Sequence, residues 1–265
     1  MINNLGYAKN LFILPFDHRS TFEKAGFKDI ASLKQIIYEA FEKSLSTVQN
    51  AAILVDEEYG DAILKDAKGK GYTVLLTIEK SGQDDFIFEY GNDFVSHIQK
   101  YEPDFAKVLI KVANSPSDLT KNNLKRINDY CHSKDIKFLV EIVSGGNLDL
   151  ILKTIVELQN FGVEPDVWKI EGMENKSEYE QIVEKVKRNG RENVSVVILG
   201  RGENLELVEK WIKTGSKIPG IIGFAIGRTI FWEPLTEFKN GKITREEAIL
   251  QISKNYIYFY NLFNT

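Results

Sequence analysis

A lysine interrupts a short apolar run in the second half of the sequence. Residues 167–172 read VWKIEG and follow Pro165, a pattern typical of a buried strand. Residues two apart in a strand share a face, so we expect Lys169 and Glu171 to lie on the same side. A buried lysine is costly unless it is paired or its neutral amine is used. The run therefore predicts either a structural ion pair or a nucleophilic amine.

Other apolar runs contain charged residues that could act with Lys169. Lys107 and Lys111 share a face of one run, Asp17 ends another, and Glu141 lies inside a third. Clustered ammonium groups disfavour one another's charged forms, and burial adds to this, so the pKa of one amine should fall toward neutrality. A neutral amine can form a Schiff base with a ketone, and carboxylates can transfer the accompanying protons. A layer of structural salt bridges among the same residues is the alternative.

Two glycine–arginine turns could bind an anion. Gly200-Arg201-Gly202 should open one helix and Gly227-Arg228 the next. Free amides at a helix start and a guanidinium group both favour phosphate. The alternative is that the glycines only make tight turns and the arginines pair with nearby acids.

Metal chemistry has less support in the sequence. His97 and His132 fall in predicted helices, which leaves His18 at a run end, whereas a zinc site would use two or three histidines. Three carboxylates are candidate magnesium ligands: Asp17, Asp56 and Glu57. Their spacing is not specific, so we expect no metal and no cofactor.

Eight apolar, β-branched runs supply the elements that must position these groups. They alternate with amphipathic stretches, and continuous apolar runs are typical of parallel strands covered on both faces. The runs cover residues 11–17, 51–57, 73–79, 105–112, 137–143, 166–171, 195–199 and 220–226. Eight such units in 265 residues predict an α/β fold with one domain over 1–265, a single (β/α)8 TIM barrel. A doubly wound open sheet is the competing prediction.

Helix signals lie between the runs. Residues 31–50 have a 3.6-residue apolar period, Ser117 can cap a helix through Asn128, and capping boxes begin at Ser177 and Thr244. The aromatic end, residues 256–260, should close the last helix against the barrel. An oligomer interface is the second interpretation of that end, so a homo-oligomer is kept as an alternative.

The charged residues collect after the runs rather than before them. The catalytic face of a TIM barrel is the C-terminal end of its strands, and the loops after strands seven and eight commonly hold phosphate. Asp17 and the two glycine–arginine turns follow their runs, whereas the starts of the runs carry no comparable set of candidate functional residues. We therefore expect one active site at that end of the barrel.

Composition limits the partners. The formal net charge of −4 gives no support for nucleic acid binding. The start, residues 1–6, lacks the features of a signal peptide, and no apolar stretch predicts a membrane span. Cys131 is the only cysteine, which excludes an intrachain disulfide and fits a cytoplasmic protein. A small molecule is the expected partner.

Three motifs carry a resemblance to a known family. Residues 12–19 (FILPFDHR), 53–60 (ILVDEEYG) and 223–232 (GFAIGRTIFW) resemble the aldolase domain of bacterial inositol catabolism. The layout is also similar to the class I tagatose-bisphosphate aldolases, and the resemblance covers essentially the whole chain. It implies a class I aldolase that cleaves 2-deoxy-5-keto-gluconate 6-phosphate to dihydroxyacetone phosphate and malonate semialdehyde.

The resemblance also implies roles for individual residues. Lys169 would form the Schiff base, Asp17 would act on the substrate hydroxyl, and Lys107 and Glu141 would be their partners. The candidates for binding the substrate or its phosphate are Arg228, Gly227, Gly200, Arg201, Gly202, Lys111, Glu171, His18 and Arg19. Three other functions are kept as alternatives: a tagatose-bisphosphate or related sugar-phosphate aldolase, a metal-dependent sugar-phosphate isomerase, and a non-catalytic phosphosugar-binding barrel.

Overall fold

Eight parallel strands form a closed barrel in the computed structural model, in the order β1 to β8. The predicted (β/α)8 barrel is confirmed, and the open-sheet alternative is wrong. The structure describes residues 4–265, so the first half of the start considered above, residues 1–3, lies outside it. The strands are β1 Leu11–Pro15, β2 Ala51–Val55, β3 Thr73–Thr77, β4 Phe105–Lys111, β5 Lys137–Val143, β6 Val167–Glu171, β7 Ser195–Leu199 and β8 Ile221–Ala225.

Helices follow the strands and form the outer layer. They are α1 Ser20–Lys24, α2 Ile30–Ser44, α3 Glu57–Gly69, α4 Phe94–Tyr101, α5 Asp118–Ser133, α6 Leu148–Asn160, α7 Lys176–Lys187, α8 Leu205–Gly215, α9 Arg228–Lys239 and α10 Arg245–Phe263. A short 3-10 turn, Gly91–Asp93, precedes α4. No helix within residues 4–265 has the length and apolar character needed to cross a bilayer.

The alternation of side chains along each strand divides the core into two parts. Val167 packs with the apolar residues inside the barrel, whereas Trp168 and Ile170 pack outward against the helices. Because residues two apart share a face, Lys169 points into the barrel with Val167. The same alternation directs Lys107 inward from β4, two residues beyond Phe105.

Several helix boundaries differ from the prediction. Helix α2 ends at Ser44 rather than Asn50, while Ser117 caps α5 as predicted and the helix runs on to Ser133. The capping box predicted to begin at Ser177 begins two residues earlier, at Asn175. The Glu178 carboxylate accepts a hydrogen bond from the Asn175 amide at 2.9 Å.

The last helix closes the barrel, as the aromatic end predicted. Thr244 and Glu247 form the expected capping box at its start. The buried Tyr256 hydroxyl donates to the Phe12 carbonyl at 2.6 Å, which joins α10 to β1. Phe259 packs in the same apolar core.

Candidate active site

A cavity of about 480 Å³ opens at the C-terminal end of the strands. Side chains on or just after seven of the eight strands line it, and these include most of the residues singled out in the sequence. This is the end of the barrel where we expected the active site.

Lys169 lies in the wall of this cavity and is only 3% exposed. Its Nζ donates to Glu141 Oε2 at 2.8 Å. The contact follows from the strand register, in which Glu141 of β5 pairs with Lys169 of β6. An amine and a carboxylate are therefore held together at the mouth of the barrel.

Lys107 is the centre of a second set of ion pairs. It is 2% exposed, and its Nζ lies 2.9 Å from Asp17, 2.6 Å from Glu79 and 3.1 Å from Glu141. Three carboxylates from β5 and the ends of β1 and β3 thus converge on one ammonium group. Glu141 contacts both lysines, which joins the two sets.

The charges in this cluster stabilise one another. Burial alone would lower the pKa of Lys107, but Asp17, Glu141 and Glu79 outweigh it and raise the pKa well above its usual value. Burial would raise the pKa of Asp17 and Glu141, but the lysine charges hold both below their usual values. The expectation that clustering lowers an amine pKa is therefore wrong for Lys107, because it has more acidic than basic neighbours.

The third lysine does not join the cluster. Lys111 lies at the rim of the cavity, its side chain is 50% exposed, and its partner is Asp84 at 4.0 Å. Strand β4 carries Lys111 four residues, or two strand repeats, beyond Lys107 and out of the buried part of the barrel. The predicted cluster of three lysines is thus a pair, Lys107 and Lys169, with Lys111 at the entrance.

His18 and Arg19 both line the cavity. Burial lowers the pKa of His18 to about 4; Asp17 opposes this shift, and Arg228 and Lys169 add to it. His18 is therefore neutral at pH 7 and can offer a hydrogen bond but no charge. The Arg19 guanidinium donates to the Glu79 carbonyl at 2.7 Å and pairs with Glu89, so it holds the wall rather than facing a phosphate.

The glycine–arginine turns lie side by side after β7 and β8. Arg228 donates to the Arg201 carbonyl, and a Cβ at Gly202 would lie 2.5 Å from the Arg228 guanidinium carbon. Gly202 has φ +76°, so both its backbone conformation and the lack of room for a side chain beside Arg228 favour glycine. Gly202 and Gly227 line the cavity with both arginines, whereas Gly200 is not part of the lining.

The two helices after these turns differ at their starts. Asn204 caps α8, because its side-chain oxygen accepts a hydrogen bond from the Leu207 amide. This amide of the first turn of α8 therefore already has an acceptor. Helix α9 begins at Arg228, directly after Gly227, without a side-chain cap. Its first amides can therefore bind an anion together with the Arg228 guanidinium.

Glu171 is not part of the cavity wall, contrary to the predicted role in substrate binding. It is fully buried, and its Oε2 accepts from the Ser144 and Gly146 amides at 2.8 Å each. Its Oε1 lies 3.0 Å from Arg201 Nε. Glu171 therefore holds the loop after β5 and orients Arg201.

The proposed magnesium ligands are separated by other contacts. Asp56 pairs with Lys34 and accepts from the Tyr59 amide at 2.9 Å. Glu57 contacts His97 at 2.6 Å and Lys100 at 2.8 Å. The part of the chain that the structure describes contains no group of three His, Cys, Asp or Glu residues suited to a metal ion. Asp17, Asp56 and Glu57 do not form the site that was considered.

Two comparisons with known proteins concern the chain as a whole. A family model described as "Uncharacterized protein conserved in bacteria (DUF2090)" matches residues 3–265. The chain belongs to this family. No curated protein matches it significantly. The finer resemblance to inositol-catabolism and tagatose-bisphosphate aldolases therefore stays a prediction for this DUF2090 protein.

Solved structures share the barrel at low sequence identity. A Plasmodium falciparum fructose-bisphosphate aldolase, solved in complex with TRAP and a small-molecule inhibitor, is 12% identical, with 96% of this chain and 90% of that chain covered and a TM-score of 0.72. An archaeal fructose 1,6-bisphosphate aldolase is 14% identical over 94% of both chains (TM-score 0.63). A Schiff-base-forming fructose-1,6-bisphosphate aldolase is 16% identical, over 90% of this chain and 94% of that chain (TM-score 0.58). These likenesses show a shared fold.

Two charged residues of this DUF2090 protein were not assigned a role from the sequence; Glu79 lines the cavity, whereas Lys34 is not part of the lining. Glu79 ends the third apolar run, and its place two residues after Thr77 on the same strand face was the available signal. Lys34 is a fully buried lysine of α2 that pairs with Asp56. Nothing local distinguishes it from a solvated helix lysine, because its partner lies 22 residues away.

Proposed function

We propose that this protein is a class I aldolase, a carbon–carbon lyase that forms a Schiff base between Lys169 and a phosphorylated ketose or keto-acid. The observation that carries the proposal is the buried Lys169 amine in the cavity wall, with Glu141 at 2.8 Å. A carboxylate at that distance can take the proton that must leave before the amine attacks a ketone. The same barrel in an aldolase described as Schiff-base-forming adds support.

The reaction can be written with this set of residues. Lys169 Nζ adds to the ketone carbon, and the carbonyl oxygen leaves as water to give an iminium ion. A carboxylate then removes the proton of the hydroxyl beyond the bond to be cleaved. The carbon–carbon electron pair moves to the iminium, an aldehyde leaves, and an enamine remains. Protonation and hydrolysis of the enamine release the ketone product and restore Lys169.

Glu141 and Asp17 are the carboxylates available for proton transfer. Glu141 contacts the amine directly, so it is suited to moving protons at Nζ during addition and loss of water. Asp17 is held ionised by Lys107 and lines the same cavity, so it can act on the substrate hydroxyl. Lys107 balances part of the negative charge that the carboxylates bring together.

The substrate phosphate would bind after β7 and β8. Arg228 and the uncapped start of α9 supply a guanidinium and free amides there, and Glu171 holds Arg201 beside them. The resemblance in three sequence motifs makes 2-deoxy-5-keto-gluconate 6-phosphate the specific substrate that we propose, with tagatose 1,6-bisphosphate as the alternative. Steady-state rates with the two compounds would choose between them.

Borohydride trapping tests the mechanism. The protein is incubated with dihydroxyacetone phosphate, reduced with sodium borohydride, digested and mapped by mass spectrometry. We expect the adduct mass on the peptide that contains Lys169, no adduct in Lys169→Met, and an unchanged adduct in Lys111→Met, which removes a lysine from the rim of the cavity. Folded wild-type protein without label at Lys169 would rule out the proposed mechanism.

A non-catalytic phosphosugar-binding barrel is the second candidate. The ion pairing of both buried lysines with carboxylates favours it, because a purely structural salt-bridge layer would have the same contacts. Thermal stabilisation by dihydroxyacetone phosphate, with no turnover and no borohydride adduct, would identify this function.

A further inference from the structure

We propose that Glu79 determines substrate specificity by accepting a hydrogen bond from a hydroxyl group on the aldehyde half of the substrate. The inference rests on the proposed aldolase function and extends it to the half of the substrate that does not bind Lys169. Glu79 lines the cavity from the end of β3, between Lys107 on one side and the segment that precedes α4 on the other.

The backbone around Glu79 is held on two sides. Glu79 and Phe88 form an antiparallel bridge, and the Arg19 guanidinium donates to the Glu79 carbonyl at 2.7 Å. Arg19 is itself anchored by Glu89. The Glu79 carboxylate therefore extends from a braced position, which is what a selective hydrogen bond to a ligand needs.

The two carboxylate oxygens of Glu79 have different surroundings. Oε1 accepts from Lys107 Nζ at 2.6 Å. Oε2 is buried, and within residues 4–265 it has no hydrogen-bond partner. A buried acceptor without a donor costs free energy, which a bound hydroxyl group would recover. The Thr77 hydroxyl, two residues earlier on the same strand, is also buried without a partner, so this side of the barrel has unused hydrogen-bonding capacity.

The other two carboxylates of the cluster also contact Lys107, but neither is among the described residues that have a buried oxygen without a hydrogen-bond partner. Glu141 Oε2 contacts both Lys169 and Lys107, next to the Schiff-base position. Asp17 receives a hydrogen bond from Lys107 and lies beside His18 at the end of β1. Glu79 has no contact with Lys169, so its second oxygen is the one suited to a group farther along the substrate.

The order of the strands shows which half of the substrate meets Glu79. In the closed barrel β3 lies opposite β7, four strands away in either direction. The proposed phosphate position follows β7 and β8, and the ketone binds Lys169 on β6. The chain of the substrate must then cross the barrel toward β3, so the aldehyde half reaches Glu79.

This position has a consequence for substrate chemistry. A carboxylate oxygen accepts a hydrogen bond from a hydroxyl group but repels another carboxylate. The aldehyde half should therefore be a neutral hydroxyaldehyde at the point where it meets Glu79. On this ground tagatose 1,6-bisphosphate, the alternative substrate named above, fits Glu79 better than 2-deoxy-5-keto-gluconate 6-phosphate, whose aldehyde half would bring a carboxylate to the same place; Glu79 thus favours the alternative, whereas the sequence motifs favour the keto-acid.

The experiment uses the condensation direction with dihydroxyacetone phosphate and two aldehydes of similar size. Glycolaldehyde carries a hydroxyl group next to its carbonyl, and acetaldehyde does not. We expect Glu79→Ala to lower the ratio of kcat/KM for glycolaldehyde to that for acetaldehyde about 10- to 100-fold relative to wild type. Glu79→Gln, which keeps the size of the side chain and a weaker acceptor oxygen, should lower the ratio less. Comparing ratios between variants cancels the different intrinsic reactivities of the two aldehydes.

Asp84→Asn is the matched control, because it removes one negative charge from a fully exposed side chain in the same segment. It should leave the ratio at the wild-type value. A wild-type ratio in Glu79→Gln, and in Glu79→Ala if that variant folds, would overturn the assignment of Glu79. Failure of the aldolase proposal would look different, because wild-type protein would then lack the borohydride adduct at Lys169.

Discussion

Lys107 determines the charge balance of the cavity. Asp17, Glu79 and Glu141 all contact its ammonium group, and only Glu141 also contacts Lys169. Three carboxylates and two lysines leave one net negative charge when all are ionised. An anionic substrate group should therefore bind at Arg228 and the start of α9 rather than against these carboxylates.

Glu141→Gln tests proton transfer at Lys169. We expect kcat to fall about 10²- to 10⁴-fold, because an amide cannot take the proton that leaves Nζ. The rate of borohydride trapping with dihydroxyacetone phosphate should fall with it, which a purely structural role would not require. Glu192→Gln, an exposed change of the same kind, is the control. Equal turnover in Glu141→Gln and wild type would remove Glu141 from the mechanism.

His18 should titrate far below an ordinary histidine. Its pKa of about 4, caused first by burial, predicts a neutral imidazole down to acidic pH. Between pH 6.5 and 4 the unfolded chain binds a proton that the folded chain excludes, so His18 makes stability fall as the pH falls through this window. NMR titration of the three histidines can measure this, with His18→Asn to assign the resonance. Three midpoints near 6.5 would contradict the prediction.

The strands could be predicted from the sequence, whereas several side-chain partners could not. Eight apolar runs reveal the strands because burial on both faces leaves a local pattern, and the alternation along β6 places Lys169 inside the barrel. Glu171 has the same alternation, yet it lies under the loop after β5. That loop depends on positive φ at Gly145 (+77°) and Gly146 (+81°), which brings backbone amides onto Glu171. No local period encodes such a contact.

The turn after β7 gives a prediction at the scale of an element. Gly202→Ala should raise KM for dihydroxyacetone phosphate about tenfold, because the new Cβ would displace the Arg228 guanidinium that lies 2.5 Å away. Gly241→Ala is the control: it has a similar φ of +68° but no atom within 4 Å of its Cβ. Both variants carry the backbone strain, and only Gly202→Ala should lose substrate affinity in steady-state kinetics. Equal KM values would mean that Arg228 does not bind the phosphate.

The ion pair between Lys34 and Asp56 should hold α2 against the end of β2. Both side chains are buried, so Lys34→Met leaves an uncompensated carboxylate and should cost about 3–5 kcal/mol. Burial lowers the pKa of Lys34 to about 7, so urea unfolding is measured at pH 6, where the pair is charged. The double change Lys34→Met with Asp56→Asn should recover much of the loss. Lys65→Met, from an exposed pair with Asp61, should change stability by less than about 0.5 kcal/mol.

The two ends of the barrel differ in chemistry. A larger cavity of about 700 Å³ lies at the N-terminal end, but Lys9, Lys68 and Lys134 in its wall are exposed and accompanied by acids. Asp166 at that end accepts from the Gly6 and Phe138 amides at 2.8 Å each, which fastens the N-terminal segment under the barrel. Buried charges that contact one another and a cavity occur together at the C-terminal end. The molecule thus separates a structural end from the end proposed for catalysis.

The buried charge cluster should determine how the stability of the whole barrel depends on pH. The pKa values of Asp17 and Glu141 are lowered from 3.8 and 4.5, so their stabilising effect is present above those values and is lost as the pH falls through the folded-state pKa values. The pKa of Lys107 is raised above 10.5, so its effect is complete below 10.5 and is lost as the pH rises through the folded-state value. The contribution of Asp17, Glu141 and Lys107 to wild-type stability should therefore be constant from about pH 5 to pH 10.

Lys107→Met should reverse the acid side of this profile. Without the ammonium group, burial and mutual repulsion would raise the pKa values of Asp17 and Glu141, which wild type holds down. The variant should lose about 3–5 kcal/mol at pH 7 and regain stability as the pH falls toward 5, because protonation then removes the unpaired charges. Urea unfolding at several pH values measures both curves, with Lys111→Met as the control for loss of an exposed lysine on the same strand. Parallel curves for Lys107→Met and wild type would show that Lys107 does not hold these carboxylates in their ionised form.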